Sequence, residues 1–144
     1  MPRRTLRRFA AISRAELAHF AEAVIALALA SAAIRLLPFR ALVRTMGQGM
    51  AKRSRAAGAD IDTKVTQAVR RASRRLPWKT VCFHEGLAAH WMLRRRGAPS
   101  RVHYGLRPGS SGLSAHVWVT VGDRTVIGEE TSDPHVCVAV FPQS

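Results

Sequence analysis

The chain has 144 residues and is 47% apolar, enough for one domain with a buried core or a domain with an extension. Its net charge of +14 is lopsided: residues 1–79 hold 17 Lys and Arg against 4 Asp and Glu, whereas residues 80–144 hold 6 against 5. Two cysteines, at 82 and 137, exclude a disulfide framework and a paired zinc-ligand pattern, and they fit a compartment in which thiols stay reduced. The basic half suits an anionic partner (an acidic peptide, an acidic protein face, a membrane surface or nucleic acid) or a solvated arginine-rich surface.

Residues 5–36 are helix formers without Gly or Pro, and Ser13 followed by Glu16 fits a capping box. Within them "AVIALALASAAI", Ala23 to Ile34, is the longest uncharged apolar run. At 1.5 Å per residue it covers roughly 18 Å, against a hydrocarbon core of about 30 Å. The basic lead before it is too long for a signal peptide and includes Glu16 and His19. The expectation is therefore a buried core helix in a cytoplasmic protein, with membrane association not favoured.

Pro38 interrupts, a short helix resumes over Phe39–Met46, and Gly47–Asp60 reads as a loop. Asp62 or Thr63 would cap a helix over Lys64–Arg75, with Val65, Ala68, Val69 and Ala72 on one face and arginines on the other. "LPWKTVCFHEGLAAHWMLRRRG", Leu76 to Gly97, reads as one helical element with Cys82 in its first turn. After Gly97 the period changes to two. "SRVHYGLR", "AHVWVTV", "RTVIGEE" and "VCVAVF" read as four strands, each antiparallel to its neighbour, with "PGSSG" and "GD" as breaks. The fold class expected is α+β: a basic helical region over 1–75, then a helix packed on an antiparallel sheet over 76–144.

Chemistry concentrates in that second part. The N-terminus of a helix stabilises a thiolate through unpaired N–H groups and the macrodipole, and Cys82 is placed there. Gly86, Ala89 and Leu93 follow on its side of the helix. The alternative is that Cys82 is a small buried hydrophobe. A nucleophile needs a base and an orienting group. Of six histidines, His116 stands out, because Val117, Val119 and Val121 define the core face of its strand and leave His116, Trp118 and Thr120 on the other. His90, on the helix, is better explained by packing, and Cys137 by a core position in the last strand. If Gly122–Asp123 is a two-residue turn, opposed residues have numbers summing to 245, and Glu129 lies opposite His116 with Cβ atoms roughly 5 Å apart. Asp123, in the turn, is on the order of 20 Å away. Glu130 would need a one-residue slip or bulge. The choice is Glu129 over Glu130, and both over Asp123.

A helix-borne cysteine, a strand histidine in H-x-W, then an acid one strand later is the transglutaminase-like, papain-like order. "LPWKTVCFHEGLAAHWMLRRRGAPSRVHYGLRP", "SAHVWVTVGDRTVIGE" and the closing "VAVF" resemble the leader peptidases of lasso-peptide biosynthesis, over residues 65–144 and more loosely over "AIRLLPFRALVRTMG". The family pattern H-A-W-V-E is changed at Val117 and Thr120. Its third member is usually aspartate, where only glutamates stand here, and His84 and Glu85 are unusual neighbours for the nucleophile. The resemblance implies a cysteine protease that removes the leader from a ribosomal precursor peptide before a lasso cyclase closes the macrolactam. It also implies a separate winged-helix-like recognition protein, since the N-terminal region shows no strand pattern for such a module. Cys82 would attack, His116 would move the proton, and Glu129 would orient the imidazole. Trp78 would offer an indole N–H near the oxyanion or pack, and Trp118 would shape the substrate groove or pack across strands. No cofactor, metal or nucleic-acid partner is expected; Cys82, His84, His116 and Cys137 lack paired ligand spacing. The alternatives are an acyl transferase using the same three residues and a non-catalytic basic helical adaptor.

Overall fold

Helix α1 (Arg14–Leu36) begins at the capping box the sequence announces. The Ser13 hydroxyl accepts from the Glu16 N–H, and the Glu16 carboxylate accepts from the Ser13 N–H, both at 3.1 Å. These atoms belong to a computed structural model that describes residues 13–47, 59–128 and 135–142. The loop expected over Gly47–Asp60 therefore falls largely outside the described residues. So do the start of the first expected helix and both candidate acids, Glu129 and Glu130.

Pro38 ends α1 because the residue before a proline is driven out of helical backbone; Leu37 is extended at φ −103°, ψ 141°. Helix α2 (Phe39–Gly47) then starts, with the Pro38 carbonyl accepting from Ala41 and Leu42. Helix α3 (Ala59–Ser73) begins earlier than the Lys64 start expected, so Asp62 does not cap it. Asp60 and Asp62 lie in its first turn, where carboxylates complement the positive end of the dipole. Helix α4 (Cys82–Arg95) is shorter than the Leu76–Gly97 element expected. Pro77 fixes φ and removes a donor, and the chain stays non-helical through Val81. Cys82 thereby becomes the first helical residue. Gly97, at φ 78°, reverses the chain, and Ala98 N–H closes on the Leu93 carbonyl at 3.0 Å.

The strands are β1 (Ser100–Gly109), β2 (Gly112–Val121), β3 (Arg124–Ile127) and β4 (Val136–Phe141). They form one antiparallel sheet in the order β3-β2-β1-β4, so β4 passes over to pair with β1 rather than with β3. The expected Gly122–Asp123 turn is present, joining Val121 to Arg124, with Gly122 at φ 60°. With helices first and an antiparallel sheet after them, the α+β expectation holds.

Helix α4 is the centre of the packing. Gly86 to His90, Met92 and Leu93 are buried. A Cβ at Gly86 would lie 3.0 Å from Val117 Cγ1 and 3.5 Å from Val119 Cγ2, so the glycine brings helix and sheet close on the valine face. On the other side α4 meets α1 and α3. Leu27, Val65, Val69, Leu87, Leu93, Val102 and Val119 belong to one apolar cluster, which runs without a break across Leu76. Helix α1 is buried on one face only: Ala23, Leu27 and Ala30 face the core, while Ile25 and Leu29 remain 60% and 57% exposed.

Candidate active site at the start of the central helix

A cavity of about 200 Å³ opens at the N-terminus of α4, lined by Arg70, Thr80, Val81, Cys82, Glu85, His116, Ile127 and Gly128. Cys82 and His116 thus share one enclosure although they are 34 residues apart. Cys82 is partly buried and forms no disulfide. The first backbone N–H to find an acceptor in the helix is that of Glu85, on the Val81 carbonyl at 3.2 Å. The N–H groups of Cys82, Phe83 and His84 therefore precede the helical ladder, the position from which a helix terminus binds negative charge. Valine at the cap position has no side-chain acceptor. His84 Nδ1 instead accepts from the Val81 N–H at 3.2 Å. Burial, helped by the Arg35 charge, lowers the His84 pKa, which keeps that nitrogen unprotonated.

Why does His116 reach this cavity when its side chain lies on the face of β2 away from the valines? The reason is the short edge strand. β3 ends at Ile127, and Gly128, at φ 91°, turns over the edge of β2. A Cβ at Gly128 would come within 2.7 Å of Trp118 Cβ and 2.8 Å of the Val117 carbonyl oxygen, so only glycine fits. That close approach sets the Gly128 carbonyl 2.9 Å from His116 Nε2. A carbonyl only accepts, so Nε2 carries the proton and Nδ1 is the basic nitrogen of the neutral ring. On the same face the His116 ring stacks with Trp118 (6.0 Å, 19°) and stands 5.1 Å from the His135 ring. Trp118 stacks in turn with His103 (5.3 Å, 9°) and lies over Gly105, where any Cβ would meet the indole at 2.6 Å. Trp118 is thus a neighbour of His116, half-buried in a row of rings.

Trp78 is placed elsewhere. Its indole N–H donates to the Ser31 hydroxyl of α1 at 3.1 Å, and its ring lines a separate depression with Ala28, Ala32 and Arg35. Asp123 sits exposed in the β2–β3 turn. The register argument that selected Glu129 does not hold along the whole strand. Val121 pairs with Arg124 and Thr120 with Thr125, as expected, but the ladder then shifts by one residue and Val119 pairs with Ile127. Cys137 is exposed rather than in the core, because β4 is an edge strand; its sulfur lies 3.9 Å from His103 Nδ1.

Arg70, Thr80 and the Gly128 carbonyl are not singled out by the sequence, whereas Glu85, the unusual neighbour of the nucleophile, does line the cavity. Glu85 accepts from the Ser73 hydroxyl at 2.6 Å, which ties the cavity wall to α3. Arg70 also lines an open groove of about 620 Å³ between α3 and β3, with Asp62, Thr66, Gln67, Asp123 and Thr125. Arg70 therefore lines both the cavity and the groove. The glycine of "VIGEE" was a usable signal, since a glycine ending a strand often marks a close backbone approach. Among the described residues, no three His, Cys, Asp or Glu side chains gather as metal ligands.

A cysteine on a helix terminus and a histidine from the second strand of an antiparallel sheet line one cavity, an arrangement compatible with cysteine-dependent chemistry. A profile of the transglutaminase-like superfamily matches residues 21–139, from α1 into β4. The chain belongs to this superfamily, whose members are typically cysteine-dependent enzymes. No curated protein and no solved structure matches it.

Proposed function

We propose that the protein is a cysteine peptidase that cuts the leader from a ribosomally made lasso-peptide precursor, working in the cytoplasm with a separate leader-recognition protein and a cyclase. The observation that carries the peptidase reading is the cavity that Cys82 and His116 line together at the start of α4, with the His116 ring oriented by its Nε2 hydrogen bond to the Gly128 carbonyl. The lasso-peptide assignment rests on the sequence motifs.

Cys82 sulfur, its proton passed to His116, attacks the scissile carbonyl carbon. The tetrahedral oxyanion forms beside the N–H groups at the start of α4. It collapses to a thioester as the C–N bond breaks, and the imidazolium gives its proton to the departing amine. Water, deprotonated by His116, then attacks the thioester, releasing the carboxylate of the leader and restoring the thiol. Trp118 supports the imidazole ring. Glu129, directly after Gly128, supplies the carboxylate that stabilises the imidazolium. The polar groove between α3 and β3, which shares Arg70 with the cavity lining, receives the extended substrate chain.

The test is a cleavage assay with precursor peptide and recognition protein, comparing the natural chain with Cys82→Ala, His116→Ala, Glu129→Ala and Glu130→Ala. A free leader carboxylate, lost in the first two variants, supports the proposal. An amide-exchanged product would instead mark an acyl transferase using the same residues, and full cleavage by Cys82→Ala would end the peptidase reading. The Glu129 and Glu130 variants decide between the two candidate carboxylates.

A further inference from the structure

Helix α1 has two apolar faces, and only one is used. Ala23, Ala26, Leu27 and Ala30 are buried against the core. Opposite them Leu17, Ala21, Ile25, Leu29, Ala32 and Leu36 are all exposed, at spacings of four or three that keep them on one face. Leu36 is 81% exposed, and Leu37 and Phe39 extend the patch past the helix end. An ordinary surface helix of a soluble domain carries charge here, and contiguous apolar surface of this extent marks an interaction site.

The charges on this part of the chain are arranged to suit one partner. Between Arg14 and Arg35 the outer face carries none. Glu16 is engaged by the cap at Ser13, and Glu22 is held by Arg96. Arg14, Arg35, Arg40 and Arg44 are exposed at the two ends and on α2, and Arg3, Arg4, Arg7 and Arg8 precede in the sequence. An apolar stripe with basic ends is what an interfacial helix presents to anionic lipid, with leucines in the acyl boundary and arginines at the headgroups. The most apolar 18-residue window of α1 has a mean hydropathy of 1.9 and is 28% buried. Spanning would require α1 to leave the core and break the Glu22–Arg96 pair, whereas lying flat requires neither. We infer that the outer face of α1 docks the protein on an anionic bilayer surface, with the helix axis parallel to the membrane.

The experiment is co-sedimentation of the full chain with vesicles of phosphatidylglycerol and phosphatidylcholine, and with phosphatidylcholine alone. The variants are Ile25→Asn/Leu29→Asn, which leaves charge unchanged, and Arg35→Gln/Arg40→Gln; circular dichroism checks that each folds. The expected result is binding to the anionic vesicles that falls at least tenfold in phosphatidylcholine, at least tenfold in the asparagine variant, and severalfold in the glutamine variant. No sedimentation with either vesicle overturns the inference. So does binding that the asparagine variant retains in full, which would be charge attraction alone, and so does binding indifferent to headgroup. A concentration-dependent dimer that the asparagine variant abolishes, without vesicle binding, would assign the stripe to a second copy of the chain.

Discussion

The two ends of helix α4 are built in opposite ways. Toward the C-terminal end His90 and Arg96 are satisfied inside the protein, although the buried Arg94 Nε has no hydrogen-bond partner among the described residues. His90 is fully buried; its Nε2–H donates to the Met46 carbonyl at 2.8 Å and its Nδ1 accepts from the Ser100 hydroxyl at 2.9 Å. Arg96 binds both Glu22 and the Met92 carbonyl. At the N-terminal end a valine that cannot cap precedes N–H groups left outside the ladder, and Cys82 faces a cavity. Groups closed on one another stabilise a fold, and groups left open are available to a substrate. Substitutions at the open end should therefore move activity and leave stability alone, and those at the closed end should do the reverse.

The largest effect expected at the open end is that of Cys82→Ala, which should lower cleavage by roughly a thousandfold or more. Its unfolding free energy should stay within about 0.5–1 kcal/mol of the natural chain, because the thiol is only partly buried. A large stability loss would mean that Cys82 is a packing residue and that the comparison fails. Next is Gly128→Ala. A methyl there meets Trp118 and the Val117 carbonyl, in a backbone conformation that L-residues avoid. The strand end must move and take the His116 acceptor with it. Turnover should fall about 10- to 100-fold, a misplacement of the order of an ångström being enough. A kcat loss with an unchanged KM would identify Gly128 as a positioning residue.

How much of this was legible beforehand follows from how local each feature is. The Ser13–Glu16 cap, the Gly122–Asp123 turn and the valine face of β2 are written in adjacent residues, and the structure repeats them. Helix position and strand face single out Cys82 and His116, and the two line one cavity. What was not legible depends on distant pairing. Alternation says that VCVAVF is a strand but not that it takes the edge beside β1, which is what exposes Cys137. The one-residue bulge at Val126 leaves no trace in the pattern of β3, yet it ends the simple register after Thr120–Thr125. An alanine- and leucine-rich helix is apolar on every side, so the sequence could not say which side of α1 the core would use.

At the closed end, His90→Leu should cost roughly 2–4 kcal/mol at pH 7, because it leaves the buried Met46 carbonyl and Ser100 hydroxyl without partners. The same residue sets a pH dependence. Burial, partly offset by the hydrogen bond to Met46, lowers the His90 pKa to about 4 from 6.5. Above 6.5 the ring is neutral whether folded or unfolded. As pH falls from 6.5 towards 4 the unfolded chain takes up a proton that the folded chain refuses, so stability falls across that window, by on the order of 3 kcal/mol. Burial lowers His84 and His103 in the same direction, so the variant should show a shallower slope rather than none. Urea midpoints at pH 7 and pH 5 measure this; an unchanged slope in His90→Leu would contradict it.

The smallest effect tests the separation of the two ends most finely. The Arg96 hydrogen bonds, opposed by burial and aided by the Arg95 and Arg96 charges, hold the Glu22 carboxylate below its ordinary value of 4.5. Stability from the pair is therefore complete above about pH 4.5 and lost as pH falls through the lowered value. Glu22→Gln keeps the shape and removes the charge. Because both partners are partly exposed, its loss at neutral pH should be only about 1 kcal/mol. Urea unfolding at pH 7 and pH 3 separates charge from shape: the gap between variant and natural chain should shrink at pH 3, where the natural carboxyl is increasingly protonated. A gap equal at both pH values would show that the amide fails to fit. Cleavage by Glu22→Gln should match the natural chain. A fall in kcat would mean that strain at Arg96 travels the length of α4 to Cys82, and that the helix is one mechanical unit instead of a closed end and an open one.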